Sequence, residues 1–163
     1  EKYSKLDFAS FEVQDLAIPW KLLIPEKWHI ICSFEVMEHV NKKNGDQFLQ
    51  NIVNHCDNDT VVLISTPCYD ERVGAAKNHI YDGQVQEYTY YELKTLLERY
   101  FIIEKTWGTF ASTRDYKPFM NNWQREMYSA LREYYDNNLL ANLMAPLFPE
   151  KSRNCLWKLR KKT

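Results

Sequence analysis

Hydrophobic and polar residues change rhythm several times along this chain, and each rhythm predicts an element. Residues 28–34 (WHIICSF) and 60–65 (TVVLIS) are near-continuous apolar runs rich in β-branched side chains. Runs of that kind mark strands of a parallel sheet covered on both faces, so Ile31, Cys32, Val62, Leu63 and Ile64 are expected to be fully buried. Between the two runs, residues 45–56 (GDQFLQNIVNHC) set Phe48, Leu49, Ile52 and Val53 on one stripe, the pattern of an amphipathic helix. Strand, helix and strand with a crossover of this length predict parallel neighbours joined in the right-handed sense. Thr66-Pro67 is expected to stop the second strand. Thr89, with Glu92 three residues on, forms a capping box for a helix that runs to residue 100 on the stripe Leu93, Leu96 and Leu97. Residues 101–107 (FIIEKTW) read as another strand. Residues 154–159 (NCLWKL) read as a last one, antiparallel because no crossover helix directly precedes it. Phe11 and Val13 alternate within residues 8–15, which suggests a short strand ending on the carboxylate of Asp15. Residues 119–138 carry Met127, Leu131, Tyr134 and Tyr135 in steps of three and four, a helical stripe suited to core or lid packing.

Composition sets the scale. With 163 residues, 45% hydrophobic and 15% aromatic, the chain has the size and the apolar content of one domain, with a helical lid or insertion at about residues 116–140. Lys plus Arg at 21 against Asp plus Glu at 22 leaves a net charge of −1, which argues against tight non-specific binding to duplex nucleic acid. The one basic concentration, Lys158, Arg160, Lys161 and Lys162, is interleaved with Leu156, Trp157 and Leu159 and reads as a solvated strand end. Cys32, Cys56, Cys68 and Cys155 form no CxxC pair, which fits reduced thiols and a cytoplasmic location. No stretch approaches the roughly 20 apolar residues of a membrane span. The opening residues, EKYSK, look like the middle of a helix and lack an initiator methionine, so the chain is expected to begin partway through a larger protein.

Candidate chemistry concentrates in residues 34–40, FEVMEHV, where a strand ends. If Glu35 starts a helical turn, then Glu35, Glu38 and His39 share one face while Val36, Met37 and Val40 pack inward on another. In open α/β sheets the ligand crevice lies outside the carboxyl ends of the strands. The polar loop of residues 68–86, which carries His79, follows a strand on the same side and would border that crevice. Two carboxylates and two imidazoles make a mixed oxygen and nitrogen donor set for a divalent cation. Without a metal, His39 or His79 could act as general base. The plainer alternative is a solvated helix start, with glutamates near its positive end. His29 and His55 read as structural, and Asp15 reads equally well as a turn former.

Taken together, the ExxEH turn, the strand ending in Ser-Thr-Pro and the Asn78-His79 loop ahead of residues 88–97 resemble the carboxyl-terminal part of a class I S-adenosylmethionine-dependent methyltransferase. The resemblance covers residues 11–161. FEVMEHV is similar to the segment after the fourth strand in the ubiquinone-biosynthesis O-methyltransferases and in the small-RNA 3′-terminal 2′-O-methyltransferases. It implies an α/β, Rossmann-like sheet, mostly parallel with an antiparallel last strand and lacking its first strands. By that resemblance a divalent metal such as Mg or Mn would be held by Glu35, Glu38, His39 and His79. His39 and His79 would be catalytic, and Asp15, Ser33 and Phe34 would contact S-adenosylmethionine. Tyr69, Trp107, Phe110 and Tyr116 would wall the acceptor pocket. Two features depart from the pattern: no glycine-rich turn or ribose-binding acidic residue is found around Gly45, Gly74, Gly83 or Gly108, and His29 stands where relatives carry an aspartate. Residues 1–163 alone are therefore expected to bind the cofactor weakly, an upstream segment or a partner chain completing the site. Three readings follow: O-methylation of a small-molecule or nucleotide hydroxyl, RNA 2′-O-methylation, and a non-catalytic module paired with another chain.

Overall fold

The computed structural model describes residues 9, 11–21, 27–69 and 87–162. Strand β1 (Ile30–Phe34) is followed by two short 3-10 turns and helix α1 (Gly45–Asn54), and then by β2 (Val61–Tyr69). β3 (Tyr88–Thr89), α2 (Tyr90–Leu97) and β4 (Phe101–Phe110) come next. Helices α3 (Thr113–Tyr116), α4 (Asn122–Leu131) and α5 (Asn137–Met144) precede the last strand, β5 (Asn154–Lys161). The sheet order is β1-β2-β5-β4, with β3 beside the far end of β2. β1 and β2 are parallel, and β5 is antiparallel to both β2 and β4, as the sequence pattern predicts. β4 therefore runs the same way as β2, and the carboxyl ends of β1, β2 and β4 share one end of the sheet with the start of β5.

Helices α1 and α2 both cover the same face. Ile31, Val62, Ile64, Trp157 and Leu159 point into a core completed by Phe48, Leu49, Ile52, Leu93 and Leu97. On the other face Ile30, Cys32 and Phe34 are exposed and Leu63 is half-buried. Covering on both faces, and with it full burial of Cys32 and Leu63, is thus corrected: among the described residues no helix packs on that second face. The stability consequence is unequal. Ile64→Ala is expected to cost about 2–5 kcal/mol and Leu63→Ala clearly less, near 1 kcal/mol, since only the first leaves a closed cavity. Urea unfolding of the two variants checks this, and equal losses would contradict a one-sided core.

The strand expected over residues 8–15 does not form over Phe11–Asp15, where Phe11 is 65% and Val13 100% exposed. A strand needs a ladder partner, and among the described residues the sheet does not extend to that segment. It is followed by a turn docked on α1. The buried Asn51 side chain donates to the Ile18 carbonyl (2.7 Å) and accepts from Trp20 N (3.3 Å), while Trp20 packs on Phe48 and His55. His55 stacks on Trp28 and is structural as expected. β2 also runs past Thr66-Pro67. Pro67 lies opposite Asn154 on β5, and β1 ends at the Phe34–Ser65 pair, so no ladder bond on the β1 side needs the missing proline N–H.

The Thr89 and Glu92 capping box is present as read, while α2 ends at Leu97 and β4 extends to Phe110. The single helical stretch expected over residues 119–138 is two helices, each with its own N-cap: Asn121 bonds Gln124 N, and Asp136 bonds Asn138 N and Leu139 N. With α3 they build a second core from Tyr116, Met120, Tyr128, Leu140, Met144 and Ala145.

Candidate functional site

Glu35 does not start the turn after β1. It sits at φ 54°, the left-handed region, while the 3-10 turn spans Met37–His39 with Val36 as its N-cap. The expected common face of Glu35, Glu38 and His39 is corrected by this kink, which swings Glu35 toward β2 and β5. Such a conformation costs a non-glycine residue about 1–3 kcal/mol and persists only where surroundings hold it. Here the ladder continues through Glu35 N to Ser65 O (2.9 Å). The carboxylate accepts from Ser65 Oγ (2.7 Å) and from Asn154 Nδ2 at 3.1 and 2.9 Å. Thr109 Oγ1 donates to Asn154 Oδ1 (2.8 Å), which turns the amide donors toward Glu35.

Glu38 lies below this network with a side chain only 5% exposed, and Thr66 Oγ1 donates to its carboxylate (2.9 Å). His39 Nε2 stands 3.9 Å from the other Glu38 oxygen with its side chain 60% exposed, so a solvent-facing imidazole rests on a buried carboxylate. Met37 and Val40 are buried, as the pattern requires. His79 lies outside the described residues. Among the described residues no three His, Cys, Asp or Glu side chains are arranged to hold a metal ion, because the Glu35 and Glu38 carboxylates are taken up by separate hydroxyl and amide donors.

Of the expected cofactor contacts, Phe34 is 51% exposed at the carboxyl end of β1, and the Ser33 hydroxyl is buried without a hydrogen-bond partner. Asp15 is held in a turn by accepting from Ala17 N (2.8 Å), beside Leu16, whose carbonyl meets Asn51 in the second half of α1; that places it with the helix, apart from the Glu35 network. His29 is exposed ahead of β1, at the end opposite Glu35. Among the expected acceptor walls, Tyr116 is wholly buried and stacked on Phe148 at 5.6 Å, so it belongs to the helical core instead. Phe110 is 40% exposed, Trp107 is half-buried under Lys105, and the Tyr69 side chain is not among those described. Sequence reasoning missed Asn154 and Thr109; their only signal was a polar residue at the site end of a strand.

No known family profile matches the chain, and no curated protein matches it in sequence. Solved structures do match its fold. A chain from the complex between the Haloferax volcanii Trm112 methyltransferase activator and a methyltransferase is 12% identical with a TM-score of 0.58; the match covers 99% of this chain and 66% of that one. An S-adenosylmethionine-dependent methyltransferase from Clostridium acetobutylicum is 9% identical with a TM-score of 0.53, covering 91% and 63%. The [4+2]-cyclase SpnF is 12% identical with a TM-score of 0.53, covering 94% and 56%. The chain thus spans between 56% and 66% of the length of these proteins. With strand order β1-β2-β5-β4 and an antiparallel β5, it has the Rossmann-like α/β fold of the class I S-adenosylmethionine-dependent methyltransferases, over part of their length.

Proposed function

We propose that this chain forms the acceptor side of a S-adenosylmethionine-dependent O-methyltransferase acting on a hydroxyl of a small molecule or nucleotide. Because the fold also serves a cyclase, the site and not the fold must carry the argument. The observation that carries it is the exposed His39 ring on the buried, Thr66-bonded Glu38 at the carboxyl end of β1. Bound S-adenosylmethionine would supply an electrophilic methyl group on a sulfonium. His39 takes the acceptor hydroxyl proton as the oxygen becomes the nucleophile, and the Glu38 carboxylate stabilises the imidazolium that results. Glu35, pinned by Ser65 and Asn154, fixes the backbone kink that presents Phe34 and the turn.

The chain's own contribution to the cofactor site is the end of β1. The exposed Phe34 ring fits a ligand there, and the remainder of the site comes from residues outside this chain, upstream or on a partner. A neighbour in complex with an activator chain supports the partner form. No step is assigned to a metal, because the described donors do not converge on one. The test is titration calorimetry of S-adenosylmethionine on the full-length protein, followed by transfer of labelled methyl groups. His39→Ala is expected to leave cofactor affinity nearly unchanged and to lower turnover by about 10²–10⁴. A full-length protein that binds no S-adenosylmethionine, or an undiminished His39→Ala variant, overturns the proposal.

A further inference from the structure

The helices between β4 and β5 carry a concentration of positive charge that the sequence does not display as a run. A cleft of about 540 Å³ is lined by Thr113, Arg114, Lys117 and Arg125. Lys117 and Arg125 also line an adjoining cleft of about 330 Å³, together with Ser129 and Arg132. Arg114 on α3, Lys117 just after it, and Arg125 and Arg132 on and just past α4, all solvent-exposed, thus face two adjoining open clefts, and no carboxylate lines either one. Asp115, the nearest acid in sequence to Arg114, is turned away and bonded to Ser112 and Arg153. Among the described residues none of Arg114, Lys117, Arg125 and Arg132 is in an ion pair. Arg125 Nε donates to the Met120 carbonyl (3.1 Å), which anchors its guanidinium where the two clefts meet.

Four like charges gathered without a counter-charge repel one another, and a bound anion relieves that repulsion. One carboxylate would neutralise one of the four charges. A phosphate group carries up to two charges and three acceptor oxygens, and it matches the forked geometry of arginine, so phosphate is the chemistry these side chains suit. The position agrees with a role at the acceptor. Thr113 and Arg114 lie a few residues beyond the carboxyl end of β4, the end shared with Glu35. Arg153 ties α3 to the start of β5 through Asp115, and the next residue, Asn154, holds Glu35.

We infer that this joined cleft binds a phosphate group carried by the methyl acceptor, a proposal that rests on the acceptor-side reading above. The test uses the full-length protein at low ionic strength, without S-adenosylmethionine. Ribose 5-phosphate, ribose and inorganic phosphate are titrated by calorimetry; none has a base that could enter an adenosine site. Saturable binding of ribose 5-phosphate and inorganic phosphate, with ribose silent, is expected. Affinity should fall at least about tenfold in Arg125→Gln with Arg132→Gln, as for lost charge-assisted hydrogen bonds, and stay unchanged in Lys43→Gln, a surface control in the 3-10 turn before α1. Circular dichroism melting shows that the double variant folds. Absence of saturable binding, equal binding of ribose, or an equal loss in Lys43→Gln overturns the cleft. Because the titration omits the cofactor, methyl transfer without phosphate binding removes this inference alone, whereas phosphate binding by a protein that transfers no methyl group removes the acceptor assignment.

Discussion

Gly108→Ala is expected to be among the most damaging single-methyl additions in the chain, costing about 3 kcal/mol or more, at or above the upper end of ordinary overpacking. Gly108 is buried on β4 opposite Cys155. A Cβ there would lie 1.9 Å from Ser152 Oγ, 2.8 Å from Ser152 Cβ and 2.4 Å from the Ala145 carbonyl oxygen. The Ser152 hydroxyl cannot simply rotate away, because it is buried and donates to the carbonyls of Phe148 (2.9 Å) and Ala145 (3.3 Å). The carbonyl belongs to the backbone at the end of α5, so relief requires the helical segment to move off β4. Urea unfolding followed by tryptophan fluorescence should show the loss. Adding Ser152→Gly should recover only part of it, because the Ala145 carbonyl conflict remains. A loss below about 1 kcal/mol would mean that the seam between β4 and the helices is loose.

Elements whose signal is local were legible in the sequence. The Thr89 capping box needs only residues three apart, and the parallel β1-α1-β2 unit needs only two apolar runs and one stripe. What the sequence could not show depends on partners far along the chain. An apolar run such as IICSF looks the same whether one face or both are covered, and Cys32 is exposed because α1 and α2 share a face. Pro67 reads as a strand end until the neighbour on its β1 side is known to have stopped. Spacing placed Glu35 on a helical turn, whereas bonds from Ser65 and Asn154, 30 and 119 residues away, hold it in the left-handed region. The basic clefts were equally hidden, because Arg114, Lys117, Arg125 and Arg132 are spread over nineteen positions among neutral and acidic neighbours and meet only after α3 and α4 fold.

Arg153→Leu is the other variant with a large expected effect, and its signature lies in pH. Asp115 is 3% exposed, and its carboxylate takes Arg153 Nε (3.1 Å), Arg153 Nη2 (3.2 Å) and the Ser112 N–H and hydroxyl (2.8 and 2.6 Å). Burial alone would raise its pKa, but the Arg153 and Ser112 bonds outweigh burial and hold the group below the ordinary carboxylate value. A carboxylate depressed in the folded state contributes stability that is fully present above its unfolded pKa, near 4, and is lost as pH falls through the lower folded value. Removing Arg153 leaves burial opposed chiefly by Ser112 and raises the folded-state pKa of Asp115, so the acid loss that this group causes should shrink: the variant lies furthest below the parent at neutral pH, and the gap should narrow as pH falls below about 4. At neutral pH the cost should be about 3 kcal/mol, the low end for breaking a buried pair, since Arg153 itself is a third exposed. Asp115→Asn in the Arg153→Leu background should restore part of the stability, because an amide needs no counter-charge. Urea midpoints from pH 3 to pH 8 for the parent, the single variant and the double variant measure both effects. Parallel pH profiles for parent and Arg153→Leu would show that the pair does not anchor α3 to β5. The same bonds set the angle at which α3 leaves β4 and the position from which Asn154 reaches Glu35. The variant should therefore also weaken the kink after β1, read as faster hydrogen exchange at the Glu35 amide that now bonds Ser65.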